Sequence, residues 1–487
     1  MKTRIPFTRN LLIVAIALLI PSCAINPVTG KKQIMLVSES QEIAMGTEYD
    51  PQIVSTFGLY QDEALLNFIT NKGNEMGKIS HRPNLQYHFR VLDSPVINAF
   101  AVPGGYIYFT RGILAQLNNE AELTGIMGHE MGHITARHSV QQITKQQIAQ
   151  LGLVVGMVAS EEFRQFADVA SQGLQLLFLK FSRDNERQAD RLGVEYSSKI
   201  GYDAHKMADF FNVLKKMQLE SSQGGVPTFL STHPDPGDRY NTVNRLSDTW
   251  QDSLDFDPWI VNDDEYLRLI DGIVYGEDPR QGYVEGNTFY HPGLKFLFPI
   301  PGGWSLVNSP LQVQMAPEDG SALMVFTLAG QNNLDQAASE TIQNLNLTVL
   351  NSTRNTVNGM PAIGVLSEQV TQDQQTGESS SIKVLSYFIE YGGNIYVFHG
   401  VTNGPVFDSY FRLFESTMVS FNRLTDPRKI NVEPKRVRVK QVENAGTLAE
   451  VFRSFGVSRN ELDNLALLNN MELTQRLGRG DLIKIIQ

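Results

Sequence analysis

One cysteine, Cys23, occurs in 487 residues. No disulfide can therefore close within the chain. Histidine is also scarce, with nine residues, so a histidine that falls into a pattern carries weight. Basic residues are in the minority: 41 Lys and Arg face 52 Asp and Glu, a net charge of −11. That balance argues against nucleic acid as the main partner, because phosphate binding needs a concentrated basic surface. Long apolar runs are missing too. The two longest, Leu11–Ile20 and Leu151–Ser160, are each about half the roughly 20 residues that a spanning helix needs. The second run reads as a buried helix beside an active site. No repeat array is visible. What the chain does have is 42% hydrophobic residues, enough for several cores, and a length that predicts two to four domains.

Lys2, Arg4 and Arg9 precede the run Leu11–Ile20. A positive segment followed by a short apolar one is an export signal. Cys23 lies just beyond it, and the stretch "LLIPSCA" resembles a bacterial lipoprotein signal. That resemblance implies removal of residues 1–22 and lipidation of Cys23, with several acyl chains for stable anchoring. Ala24, where sorting to the inner membrane would favour Asp, implies the outer membrane by the same resemblance.

"NPVTGKKQIMLVSESQEIAMG" reads as a tether, a short strand-like piece and a helix capped by Ser38 or Ser40, with Glu42 in its first turn. A helical period covers about Glu63 to Ile79. Strands flank Pro103-Gly104-Gly105, a turn signal. Helical patterns then run from Glu120 to about Gln150, Glu161 to Lys180, Arg183 to Lys199 and Ala204 to Leu219. Short β-rich runs begin near Gly282, interrupted by helical segments at 333–345 and 405–419, an α+β reading with a mostly antiparallel sheet. The predicted boundaries are 23–262, a linker at 263–282, a second domain at 283–425, a linker at 426–434 and a third unit at 435–487.

Within the first domain stands "MGHEMGHITARH". Residues four apart on a helix lie about 40° from each other. His129 and His133 therefore share one face, and Glu130 lies beside it. Two neutral imidazoles at that spacing suit zinc, which takes a third protein ligand and leaves one position for water. Glu130 would take the proton of that water as it attacks a carbonyl carbon. A chance match of this pattern in a chain so poor in histidine arises in only about one or two chains per hundred. His138, nine residues from His129, falls roughly 180° around a continuous helix. It is expected to be structural, against the sheet or a carboxylate. "SRDNERQADRLG" supplies Glu186 and Asp190 on one helical face. Alone, it reads as a solvated charged helix. Downstream of the first motif, however, E-x-x-A-D resembles the pattern of a glutamate-ligand zincin, which implies Glu186 as the third ligand and Asp190 as the residue that holds a ligand histidine's tautomer.

The segments "NAFAVPGGYIYFTRGIL", "ELTGIMGHEMGHITARH", "RDNERQADRLG" and "STHPDPGDRY", in this order, resemble the metallopeptidase family that includes the CAAX prenyl endopeptidases, and most of all its soluble periplasmic branch. The resemblance covers about residues 39–249. It implies an α-rich zincin fold with a small sheet and one zinc ion per chain. It implies that Asn98, Ala99, Phe100, Ala101 and Val102 lie on a sheet edge where an extended substrate adds a strand. It also puts His233 beside the zinc. There, with Arg239 assisting, it would stabilise the oxyanion, or it would occupy the fourth zinc position at rest. The chain lacks the multiple spanning helices of the prenyl endopeptidases.

The last fifty residues resemble a lysin-motif domain, strand–helix–helix–strand. Thr447-Leu448 opens the first helix and Leu468-Asn469-Asn470 ends the second. The middle region weakly resembles the α+β sandwich of PsbP-like proteins. His291 and Trp304 there read as core or turn residues. The whole is expected to be an exported, lipid-anchored zinc endopeptidase that clears misfolded or stalled envelope proteins. Peptidoglycan and outer-membrane assembly machinery are its candidate partners. The rival is an assembly or cell-wall scaffold with secondary protease activity.

Overall fold

The computed structural model describes residues 22–152, 181–220, 228–234, 237–330, 333–372 and 379–487. The signal segment, the helix expected at 161–180, Pro236 and nearly all of the 151–160 run lie outside the described residues.

The chain enters as a hairpin of β1 (Ser22–Ile25) and β2 (Lys32–Met35), with Cys23 opposite Ile34. The segment read as a tether is thus the turn of this hairpin, and the strand-like piece is its second strand. Asn26 turns the hairpin by accepting from Val28 N and Thr29 N, and its amide donates to Ala136 O at 3.0 Å. α1 (Glu39–Phe57) follows, its capping box built by Ser38 and Gln41. α2 (Glu63–Ile79) is capped by Asp62. A three-stranded sheet comes next: β3 (His88–Leu92), β4 (Ala99–Val102) and β5 (Tyr106–Thr110), in the order β3-β5-β4. The expected turn joins β4 to β5, and Gly104 and Gly105 supply its positive φ of 86° and 96°.

α3 (Arg111–Gln116) leads into α4 (Glu120–Thr135), which every side chain buries. Asn119 caps α4 by accepting from Glu122 N at 2.7 Å. The helix expected to run to Gln150 breaks here. Arg137 adopts a φ of 58°, and α5 (His138–Gly152) starts in a new direction. A left-handed non-glycine residue costs roughly 1–3 kcal/mol unless its surroundings hold it. Here Glu42, buried on α1, accepts from Arg137 Nε at 2.8 Å and from Arg82 Nη1 at 2.7 Å.

α6 (Arg183–Lys199), α7 (His205–Glu220), the short α8 (Thr228–Thr232) and α9 (Arg239–Ser253) complete the bundle around α4. Glycines set the α4–α6 approach. A Cβ on Gly128 would meet Gly193 O at 2.9 Å, and one on Gly132 would meet Ala189 Cα at 3.2 Å. The stretch read as a linker at 263–282 instead contains α10 (Asp263–Ile270). Its Tyr266, Leu267 and Ile270 form an apolar stripe in the same core, and Tyr266 donates to Leu114 O at 2.7 Å.

The middle region is antiparallel throughout. β6 (Tyr283–Glu285), β7 (Thr288–His291), β8 (Phe296–Pro299) and the later β16 (Asn422–Arg423) form one small sheet. β9 (Trp304–Asn308), β10 (Gln312–Pro317), β11 (Ala322–Ala329), β12 (Thr348–Val357), β13 (Met360–Gln372), β14 (Ser379–Tyr391) and β15 (Asn394–Asn403) form a seven-stranded one in the order β12-β13-β14-β15-β11-β10-β9. α11 (Leu334–Asn344) packs on one face and α12 (Phe407–Val419) on the other, the latter over an aromatic core that includes Phe296, Phe298 and Phe326. α13 (Pro427–Ile430) is short.

The last unit follows the expected order of elements. β17 (Val437–Gln441) pairs with β20 (Leu482–Ile486), and β18 (Gly446–Thr447) with β19 (Arg476–Leu477), around α14 (Leu448–Ser454) and α15 (Leu462–Leu468). This unit is joined to the first domain by backbone. Gly272 N donates to Val437 O at 2.8 Å, and Val437 N to Ile273 O at 2.9 Å. Lys484, fully buried, donates from Nζ to the carbonyls of Ala115, Gln116 and Leu117 at 3.0–3.1 Å, which end α3.

Candidate metal centre

α4 carries His129, Glu130 and His133, all buried. α6 brings Glu186 from across the glycine contact, and the turn after α8 brings His233. The Nε2 atoms of His129 and His133 lie 3.1 Å apart, and His233 Nδ1 lies 3.2 Å from His129 Nε2. Glu186 Oε1 is 3.2 Å from His233 Nδ1 and 3.5 Å from His133 Nε2. Ligands about 2.0–2.1 Å from a tetrahedral zinc stand about 3.3 Å from one another. Four distances within one set of atoms are close to this value, and the second oxygen of Glu186, Oε2, lies 3.4 Å from His129 Nε2. Three imidazoles and a carboxylate that bring buried donor atoms within 4.8 Å of one another fit a divalent cation, and imidazole ligands suit zinc among the transition metals.

The electrostatics have the same sense. Burial works against the Glu186 carboxylate, yet the surrounding imidazoles hold it well below the usual range. Burial opposes a charge on His129, but hydrogen bonds to Asp190 and Glu186 lift it to about 9. Burial holds His133 well below an ordinary histidine. Glu186 therefore stays an anion among the imidazoles.

Glu130 faces the cluster without a hydrogen-bond partner on either oxygen among the described residues, and burial raises its carboxyl. His233 Nε2 is 3.6 Å from Glu130 Oε1. One ring thus touches both the ligand set and the acid. Phe229 stacks on that ring, centroids 4.6 Å apart. Phe229 N donates to Ile97 O at 3.2 Å, so α8 leans on the lead-in to β4.

Asp190 Oδ1 lies 2.9 Å from His129 Nδ1, the nitrogen away from the cluster. Arg239 is found on that same far side. It grips Asp190 through Nε and Nη2 at 2.6–3.0 Å and lies over Phe211, 3.6 Å from the ring centroid. Its Nη2 also lies 3.6 Å from Glu186 Oε2, so Arg239 borders the ligand group as well.

β4 is an edge strand, as expected for Asn98 to Val102, and all five residues are buried. Asn98 Oδ1 has no hydrogen-bond partner among the described residues.

His138 departs from expectation. With the helix broken at Arg137, it turns back. Its Nδ1 lies 3.0 Å from His133 Nδ1 and its Nε2 3.1 Å from Gln188 Oε1. Among the described residues it hydrogen-bonds neither the sheet nor a carboxylate; it stays outside the ligand group, as expected, and its partners differ because the helix is broken. The glycines at 128 and 132 were also passed over, although small residues four apart on a helix face signal a close neighbour.

Residues 67–247 match the family model for peptidase family M48. The β-barrel assembly-enhancing protease of Yersinia pestis is 29% identical over 230 residues, covering 45% of this chain and 47% of that one. The mitochondrial metalloendopeptidase OMA1 of Arabidopsis thaliana is 31% identical over 155 residues, 32% of this chain and 30% of that one. Among solved structures, PsbP of the cyanobacterium Synechocystis is 12% identical, with a TM-score of 0.25, over 29% of this chain and 96% of that one. The chain spans about half the length of the first curated relatives it matches. No described helix is long and apolar enough to cross a membrane. The ordered motifs and the buried group His129, His133, Glu186 and His233 all fall within or beside the segment 67–247 that matches the model of peptidase family M48.

Proposed function

We propose that this chain is a zinc-dependent endopeptidase. The observation that carries the reading is the convergence of four buried donor atoms, all within 4.8 Å of one another, beside a carboxylate whose oxygens have no hydrogen-bond partner among the described residues. His129, His133 and Glu186 would hold the ion. Zinc, when bound, acidifies water and polarises a carbonyl. Glu130 would accept the proton of the attacking water and pass it to the leaving amine. Asp190 accepts from His129 Nδ1, which leaves the Nε2 lone pair for the metal, and Arg239 fixes Asp190.

His233 supports a resting state in which its Nδ1 fills the fourth vertex. Water and substrate would enter when α8 and its loop move. A second position for the same ring, beside a developing oxyanion, remains open to it once it leaves the vertex. Departure of α8 would also free the lead-in to β4, where an extended chain would pair with the Asn98–Val102 edge. Pairing of that kind reads main chain, which suits misfolded or stalled proteins. The names of the relatives, one of which speaks of β-barrel assembly, support envelope proteins as substrates. Export, acylation of Cys23, residence at the outer membrane and glycan contact by the lysin-motif-like unit belong to the same proposal.

The deciding test is elemental analysis after dialysis, joined to casein digestion with and without chelator. One zinc per chain and chelator-sensitive cleavage are expected. A chain that digests casein equally well without metal would overturn the reading.

A further inference from the structure

We infer that His133 is held by a neutral relay, Gln188–His138–His133, with His138 as a positioning residue for the metal ligand. This rests on the zinc reading above. His133 presents Nε2 to the cluster, 3.1 Å from His129 Nε2. Its proton must then sit on Nδ1. The only described atom that Nδ1 meets at hydrogen-bond distance is His138 Nδ1, at 3.0 Å. Two ring nitrogens that close share one proton, so His138 Nδ1 must accept. Its own proton therefore sits on Nε2, where Gln188 Oε1 accepts it at 3.1 Å. Each choice of proton forces the next, and the amide oxygen ends the chain.

The two α4 ligands are thus oriented by different chemistry. His129 has the carboxylate of Asp190 behind it, 2.9 Å away. His133 has a neutral imidazole, and Phe181 lies over its ring with centroids 4.1 Å apart. An anion behind a ligand histidine makes it a stronger donor; a neutral acceptor fixes its direction without adding charge. The site thereby keeps one anionic support where two would crowd negative charge around Glu186 and Glu130. The break at Arg137 is what makes this possible, since a straight helix would turn His138 away.

The test measures zinc affinity of the full chain by competition with a chelator, and the melting temperature of the metal-free form. His138→Phe keeps a ring against Phe181 but removes the acceptor. It should weaken zinc about 10–100-fold while the metal-free protein melts as the wild type does. His138→Asn places Oδ1 where Nδ1 was and should recover most of the affinity. Gln188→Leu, at a partly exposed position, provides a milder break and should cost several-fold; it keeps the test alive if His138→Phe fails to fold. Unchanged zinc affinity in His138→Phe and Gln188→Leu would overturn the relay. So would loss of metal-free stability that His138→Asn shares, since that marks a packing role. A wild-type chain that binds no zinc would instead overturn the peptidase reading itself, and the relay with it.

Discussion

Two of the places where the protein buries ionisable side chains are finished differently. At the Lys484 socket the ammonium meets three carbonyls. The backbone of Lys484 is also pinned, its N–H donating to Asn469 Oδ1 at 2.7 Å and its carbonyl accepting from Asn469 Nδ2 at 2.9 Å. Burial pushes Lys484 down, and the buried carboxylate of Glu122 opposes that. At the metal centre, Glu130 has two oxygens and Glu186 one without a hydrogen-bond partner among the described residues. Buried polar atoms are nearly always satisfied. A satisfied charge holds two units together; unsatisfied ones await something that enters.

Predictions sharpen that contrast. Glu130→Gln should retain zinc and lose about 10²–10⁴-fold in turnover, read as casein cleavage at equal metal content. Normal turnover would move the base elsewhere. Lys484→Ala should destabilise the first domain by about 3–5 kcal/mol, because a buried carboxylate loses its counter-charge and α3 its cap. A denaturant titration followed in the first domain checks this. If only the last fifty residues loosen, the socket is no brace. Lys484→Met combined with Glu122→Gln should restore much of the loss, since it removes both charges together.

A third buried group lies between these extremes. His399, in the seven-stranded sheet, has Ser386 Oγ 2.8 Å from its Nδ1, and burial lowers it to about 4. Its folded value lies below its unfolded one, so the unfolded chain binds the extra proton between the two. Stability should therefore fall as pH drops from about 6.5 to about 4, by roughly 3 kcal/mol. His399→Gln should flatten that part of the profile in acid denaturation followed at the sheet. The smallest effect is expected at the vertex. His233→Ala should raise basal proteolysis about tenfold, the factor gained when a resting state tenfold over-populated is removed. Lost activity with zinc retained would assign the ring to the transition state instead.

Much of the metal centre was legible because ligands four apart on one helix are a local pattern. Glu186 was reached through the resemblance of its segment to a glutamate-ligand zincin, since alone it reads as part of a solvated helix. The turn at Arg137 was not legible, because what holds it is Glu42, 95 positions earlier in the chain. The grip of Arg239 on Asp190 was not legible, since sequence gives proximity and not direction. α10 passed for a linker because eight residues with three acidic ones at the start look solvated until their partners are known. Lys484 in a closing strand reads as solvent-facing, and its three acceptors lie more than 360 positions away.

Asn26 stands three residues after Cys23 and is tied to Ala136, the residue that ends the ligand helix. Three extended residues reach at most about 10 Å. With Cys23 acylated as proposed, the active site would have no leash. It would ride at a fixed height over the bilayer and sweep only the layer next to it. Peptide chains that linger at the lipid surface would come within its reach, and those released into the open space beyond would escape it.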